Sequence, residues 1–445
     1  MKIPLKPSRM SDLFDRNSSR LREIMEEGIT ATPKGEYLHW DKLRHKKPIP
    51  GDLNHEEWWL GIKLARGLLY KQVPLTDVAG NYFKYAITDN VLEMLHKIDS
   101  RAHGGIELER KVVNPETRER YIINSIMEEA ITSSQLEGAA TTRQVASDMI
   151  RYGRQPSDTS EQMILNNYLA IRKIREFIDK DLTTSHVLHI HEILAKDTLD
   201  DPDGEGRLQL PSEERVKVVD NRSQEDLHVP PPAKQLPKRI NLMCDFANGN
   251  VSGEEFIHPI IKSIILHFWL AYDHPFLDGN GRTARSLFYW SMLSNGYWLF
   301  EYISISRILK DSKTKYGMSY LKTETDENDL TYFIIYQLEV ILKAIDELFE
   351  YIDKKKKQVR KIEEMLKDNS GLNHRQVALL SHAMRHPGAD YTIKSHQNSH
   401  NIAYATSRAD LFELSKKELL IHRKIGQKTS VFRSPIDLGE RISNL

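Results

Sequence analysis

Apolar residues recur at helical spacing along most of this chain and alternate with polar ones only in short stretches. Residues 13–27 give a first short helical pattern. Residues 54–70, with Trp58, Ile62, Ala65 and Leu69 on one face, and residues 88–98, with Val91, Leu92 and Leu95, predict two amphipathic helices. The first 110 residues therefore read as a helical region whose apolar side chains belong to a core. Residues 118–138 carry Tyr121, Ile122, Ile126 and Ile131 at helical intervals, and Gly138 is placed to stop that helix. Thr142 suits the cap of a helix running to Tyr152, and residues 160–178 predict a longer one with Ile164, Tyr168, Ile171 and Ile174 inward.

The densest apolar run, residues 256–273, has Pro259 near its first turn and predicts a largely buried helix. It must stop near His274, because Pro275 disfavours α geometry at the residue before it. Gly279 and Gly281 permit a tight turn, and a helical pattern resumes over 282–293 with Leu287, Trp290 and Leu293. The product is helix, loop, helix. Residues 215–219 and 227–229 are short β-prone runs around a polar stretch that begins Asp220-Asn221-Arg222-Ser223, a hairpin signal closed by Pro230-Pro231-Pro232. A long amphipathic helix spans 329–353, followed by the charge run 354–357. Helical patterns over 373–386, 394–400 and 406–420 then precede a β-prone hairpin over 421–433 that contains Gly426, Lys428 and Thr429. That order matches a winged helix-turn-helix, and Ser407-Arg408-Ala409-Asp410-Leu411 resembles the start of its recognition helix.

Composition changes this picture little. With 445 residues, 40% hydrophobic and 28% charged, the chain describes a globular protein of two to four domains. No apolar run approaches the length needed to span a membrane, residues 1–14 lack the apolar centre of a secretory signal, and the single Cys244 excludes an internal disulfide framework. A cytoplasmic location is the expectation. The formal charge is zero but uneven: residues 351–445 carry 18 Lys and Arg against 10 Asp and Glu, a net of +8 against −8 for the rest. A basic terminal module on a mildly acidic body follows.

The chemistry concentrates in His274-Pro275-Phe276-Leu277-Asp278-Gly279-Asn280-Gly281-Arg282-Thr283-Ala284-Arg285. Backbone N–H groups at the start of the second helix attract phosphate. Asp278 offers an oxygen suited to Mg²⁺, which completes its shell with nucleotide phosphates and water. Arg282 and Arg285, three apart, face the same way with planar forks for phosphate oxygens, and His274 can take a proton from an attacking hydroxyl. Phosphoryl or nucleotidyl transfer is the reaction class. A dinucleotide fingerprint over Gly279–Ala284 would need a preceding strand where a helix precedes, and no Walker-type motif occurs. His186, His189 and His191 with Glu192 do not complete a zinc set, and these residues, like His258 and His267, read as core or surface imidazoles. The acidic loop 200–206 lacks the spacing of an EF-hand.

The stretch resembles, at all eight fixed positions, the signature of the Fic domain family, whose typical members transfer AMP from ATP to a protein hydroxyl. The resemblance implies a mostly α fold, with His274 as base, Asp278 as magnesium ligand, Gly279, Asn280 and Gly281 as anion hole, and Arg282 and Arg285 as phosphate clamps. Ser133-Ser134-Gln135-Leu136-Glu137-Gly138 resembles the family's inhibitory motif, in which the glutamate pairs with the second motif arginine and displaces the γ-phosphate of the nucleotide. The hairpin near 213–230 resembles the flap that holds the target chain. Three parts are expected: an N-terminal helical region over 1–110, a Fic core over 111–353 carrying the inhibitory helix 118–138, and a winged helix over 354–445. The implied function is Mg²⁺-dependent transfer of AMP from ATP to a Ser, Thr or Tyr hydroxyl of a target protein, restrained by Glu137. The alternatives are transfer of another phosphate-containing group, removal of AMP, or a nucleotide-sensing regulator that binds DNA. The C-terminal module suits DNA contact, protein docking or homodimerisation.

Overall fold

The structure, a computed structural model, describes residues 2–102, 115–220, 225–251, 255–368, 371–425 and 429–443. The chain divides into two compact units, Met1–Leu108 with Tyr121–Ile345, and Glu109–Arg120 with Asp346–Leu445.

The first unit is built around the helices Pro259–Asp273 and Asn280–Ser294, nearly all of whose residues are buried. Pro259 opens the former at a position where a missing N–H costs nothing. Phe268, at its centre, lies among Phe83, Tyr320 and Phe333, with ring centroids 5.4, 5.2 and 5.2 Å away. The helices Thr159–Ile174 and Thr184–Ala195 pack together on one side of this pair, and Leu236–Asn248 packs against Pro259–Asp273. Asp158 and Thr183 supply the side-chain caps, each accepting from the backbone N–H three residues on.

The N-terminal part departs from the purely helical expectation. The pattern over 13–27 is two helices, Met10–Arg16 and Leu21–Glu26, because the Asn17 amide donates to the Leu13 carbonyl and ends the first. After the helix His55–Gly67 comes an antiparallel hairpin, Tyr70–Thr76 with Tyr82–Ala86. Its inward residues Val73 and Leu75 are separated by Pro74, and Phe83 and Tyr85 by Lys84, and Pro74 masks the strand signal in the sequence. Lys84 of this hairpin also bridges to Asp329, so the strand is held from outside as well.

The second unit runs through helix His374–Arg385, strand Asp390–Thr392, helices Ile393–His400 and Tyr404–Lys416, and strands Ile421–Ile425 and Thr429–Arg433. The last strand is central in a three-stranded antiparallel sheet. Leu380, Ile393, Leu411, Leu414 and Phe432 form its core. Asp410 is drawn inward: it accepts from Asn373, from Arg375 at 2.8 and 3.1 Å, and lies 3.2 Å from His396. The sequence reading of 373–433 lacked only strand Asp390–Thr392; Gly426 and Lys428 lie outside the described residues.

Candidate active site

The loop between the two central helices is shaped by its own sequence. His274 closes the first helix in the left-handed region, φ 46° and ψ 54°, its N–H bonded to the Leu270 carbonyl at 3.0 Å. Asn280 then staples the turn: its side chain accepts from the Phe276 N–H at 2.9 Å and donates to the Phe276 carbonyl at 2.8 Å. Gly279, at φ 78°, precedes the first turn of Asn280–Ser294, so the unpaired N–H groups of that turn open onto the loop.

The titratable groups are sorted by burial. His274 retains some surface, yet its surroundings push its pKa down to about 4, burial first and the nearby His228 second. The imidazole is therefore neutral at pH 7, since the Ala271 carbonyl favours the charged ring too weakly to offset burial. Asp278 is the exposed member, its side chain 60% accessible and 3.1 Å from Arg282 Nη2. Arg282 is fully buried and also donates to the Leu194 carbonyl at 2.9 Å, while its Nε has no hydrogen-bond partner among the described residues.

Arg285 is the meeting point with a distant helix, Pro115–Leu136. Its Nε donates to Ser133 Oγ at 2.9 Å, and Nη2 donates both to the Ser133 carbonyl at 3.1 Å and to Glu137 Oε1 at 2.7 Å. Burial opposes the Arg285 charge, but Glu137 and other neighbours outweigh it and raise the pKa. The Glu137 carboxylate also lies against Gly281: a Cβ there would stand 2.2 Å from Oε1, so only glycine admits it. An anionic group thus sits on the backbone cradle, in the place suited to a phosphate. Gly138, at φ 109°, lies just past the helix.

One turn earlier the same helix is bolted down by Glu129. This buried carboxylate accepts from Tyr289 Oη at 2.9 Å, Ser304 Oγ at 2.8 Å and the Ser306 N–H at 3.1 Å, with Ser306 Oγ as a further donor. Sequence reasoning did not single out Glu129, and it read residues 200–206 as an acidic loop and 215–219 as part of the flap without assigning either to the support of the loop after His274. There Gly204 packs on Leu277, the Gln209 N–H donates to the Pro275 carbonyl at 2.8 Å, and Arg215 donates to the carbonyls of Asp273 and His274 at 2.7 and 3.1 Å.

The flap is short, Val218–Val219 paired antiparallel with Asp226–His228; residues 221–224 lie outside the described ones. His228 anchors it, with Nδ1 2.8 Å from Glu324 and Nε2 2.7 Å from the Tyr272 carbonyl. Both partners are acceptors, so the ring carries both protons. Burial disfavours that charge, yet Glu324 and the carbonyl prevail and raise the pKa. Among the described residues no group of three or more His, Cys, Asp or Glu could hold a metal.

Helix, loop and helix, with a neutral imidazole, an exposed carboxylate and two buried guanidiniums around the first N–H groups of the second helix, make a site chemically suited to phosphate. Residues 181–292 match the family model Fic/DOC, and the chain carries a Fic domain. It is 45% identical over 60 residues to the protein adenylyltransferase Fic of Nematostella vectensis, covering 14% of each chain. It is 30% identical over 119 residues to the protein of that name from Drosophila willistoni, covering 27% of this chain and 22% of the relative. This chain therefore spans less than a quarter of the length of either relative. The crystal structure of a Fic family protein from Desulfovibrio desulfuricans G20 shares the fold, with a TM-score of 0.52 at 20% identity over 79% of this chain and 97% of that one.

Proposed function

We propose that this protein transfers AMP from ATP to a Ser, Thr or Tyr hydroxyl of a target protein, and that Glu137 restrains the reaction. The observation that carries the reading is the Glu137 carboxylate bonded to Arg285 and lying on Gly281, where it competes with phosphate for the same fork and cradle. The relatives' name, protein adenylyltransferase, supports the reaction class.

In this mechanism the target hydroxyl attacks the α-phosphorus, the bond to the bridging oxygen of the β-phosphate breaks, and pyrophosphate leaves. His274, neutral at pH 7, takes the hydroxyl proton on its free ring nitrogen. The N–H groups of Gly279 to Gly281 and the forks of Arg282 and Arg285 hold the phosphate oxygens. Asp278, exposed at the mouth of the loop, fits a single-carboxylate magnesium site completed by phosphates and water. Asp278 would hold such an ion, which would offset negative charge on the polyphosphate. The exposed Val218, Val219 and Val229 give the flap an edge on which an extended target segment can pair.

The test is incubation with α-labelled ATP. Glu137→Gly should raise label on protein at least about tenfold, the scale of one lost hydrogen bond between charged groups. Arg285→Ala should cancel that gain when combined with it, since contacting residues are not additive. No label from either protein, with a competent lysate and magnesium present, would refute transfer. A lower yield from Glu137→Gly would point instead to a glutamate that orients water for AMP removal.

The topology of the second unit favours a DNA-binding role beside the enzymatic one. Helix, strand, two helices and two strands in the sheet order given above support reading this unit as a winged helix-turn-helix. The Tyr404–Lys416 helix exposes Tyr404, Thr406 and Arg408 at its N-terminal end. Full-length protein should then shift duplex DNA with an affinity that falls steeply with salt. Absence of a shift at low salt would leave protein docking or dimerisation as the use of this unit.

A further inference from the structure

His191 lies on the apolar stripe of helix Thr184–Ala195, with Val187, Ile190 and Leu194, and is completely buried. A buried imidazole needs partners for both nitrogens, and here they come from two different loops. The Gly206 N–H donates to Nδ1 at 3.1 Å. The proton of the neutral ring is therefore on Nε2, which donates to the Asp278 carbonyl at 2.9 Å. The ring stacks on Phe276 with centroids 3.7 Å apart and planes 4° apart. It also underlies Gly279, where a Cβ would stand 3.4 Å from Nε2. Gly206 itself is at φ 68°, and a Cβ there would meet Glu192 Cβ at 3.0 Å, so the donor to Nδ1 is fixed as tightly as the acceptor of Nε2.

The consequence lies in the next peptide group. In a planar trans peptide the carbonyl and the following N–H point in opposite directions. With the Asp278 carbonyl turned inward to His191, the Gly279 N–H must point away from the ring, to the opposite side of the loop. Gly279 is the N-cap of Asn280–Ser294, so this N–H lies outside the helix's own ladder and is available to an anion.

We infer that His191 is a positioning residue that aims the Gly279 N–H at the phosphates of the nucleotide, through its hydrogen bond to the Asp278 carbonyl. The inference rests on the nucleotide-binding part of the reading above. His191 touches neither nucleotide nor target; it sets the direction of a donor that does. If the Asp278–Gly279 peptide flips, the cradle presents a carbonyl oxygen in place of an N–H, which repels phosphate.

Two substitutions in the Glu137→Gly parent separate this role from packing. His191→Phe keeps a ring on Phe276 and removes the donor. His191→Gln carries an N–H close to the position of Nε2 and gives up the stack. His191→Phe should lower the AMP-transfer rate about a hundredfold, the scale of one lost oxyanion donor. It should weaken calorimetric binding of ADP with magnesium about tenfold, as for one hydrogen bond to a charged group. His191→Gln should recover most of both, although its melting temperature should be the lower of the two. Activity and stability would then run in opposite orders, which a packing role does not produce. If transfer and ADP affinity follow melting temperature across the parent and both variants, or if His191→Phe matches the parent, the inference is overturned. A parent that binds ADP but transfers no label refutes the transferase reading alone, and the ADP measurements still decide the role of His191. A parent that binds no ADP overturns the inference together with that reading.

Discussion

Arg66 and Arg285 are both buried guanidiniums within the first unit, and they are finished differently. Arg66 donates through Nε to the Ala31 carbonyl at 3.1 Å, through Nη1 to Tyr332 Oη at 2.9 Å and through Nη2 to the Leu38 carbonyl at 2.9 Å. Its plane lies 3.6 Å from the centroid of Tyr37, and Asp326, itself paired with Lys63 at 2.8 Å, stands 3.9 Å away. Each of its three nitrogens thus has a partner from the fold. Arg285 Nη1, with the Tyr316 hydroxyl nearby, makes no close hydrogen bond among the described residues, and Nη2 is shared between the Ser133 carbonyl and Glu137, whose side chain is 30% exposed at the end of a helix. A closed set of partners fastens the N-terminal layer to the loop before helix Thr331–Asp368. An open one beside a glycine cradle is, in the function proposed above, the receptor for a nucleotide phosphate whose place Glu137 takes.

That contrast yields predictions with different readouts. In the receptor region, His274→Ala in the Glu137→Gly background should lower AMP transfer about 10² to 10⁴-fold, the range for general bases, with little change in melting temperature. Equal transfer by the variant would remove His274 from the chemistry. In the closed network, Arg66→Met should cost about 3 to 5 kcal/mol of stability, because Asp326 and two carbonyls lose a buried partner. Chemical denaturation measures it. A loss no greater than that of Arg285→Ala would erase the distinction between the two arginines.

The effects of pH are smaller and run in opposite directions. His274, with its pKa pushed down to about 4, stays neutral over the working range, so the acid limb of kcat/KM should fall near that value. A limb near the ordinary histidine value of about 6.5 would mean that another group controls the reaction. His228 has a raised pKa, so its charged form adds stability that is complete below about pH 6.5 and is lost as pH rises through its folded value. The melting-temperature advantage of the native protein over His228→Gln should therefore shrink on going from about pH 6 to about pH 9. An advantage independent of pH would show that His228 anchors the flap as a neutral ring.

What could be read from the chain alone was whatever neighbours in sequence decide. The loop from His274 to Arg285 is of that kind: Pro275 ends one helix, Asn280 staples the turn to Phe276, and Gly279 takes the positive φ, all within a few residues. The helices were legible for the same reason, since period and caps are local. The hairpin Tyr70–Ala86 was not, because Pro74 and the polar residues around it dilute the alternation, and its partner Lys84 finds support in the distant Asn328 and Leu330. The approach of Glu137 to Arg285, 148 residues along the chain, came into the sequence reading by resemblance; no spacing in the sequence requires it. His191 read as one more imidazole on a helix. Its role appears only when the fold brings Gly206 and Asp278 to its two nitrogens, because a histidine's tautomer is set by what lies across from it, and that is decided by packing between segments the sequence keeps far apart.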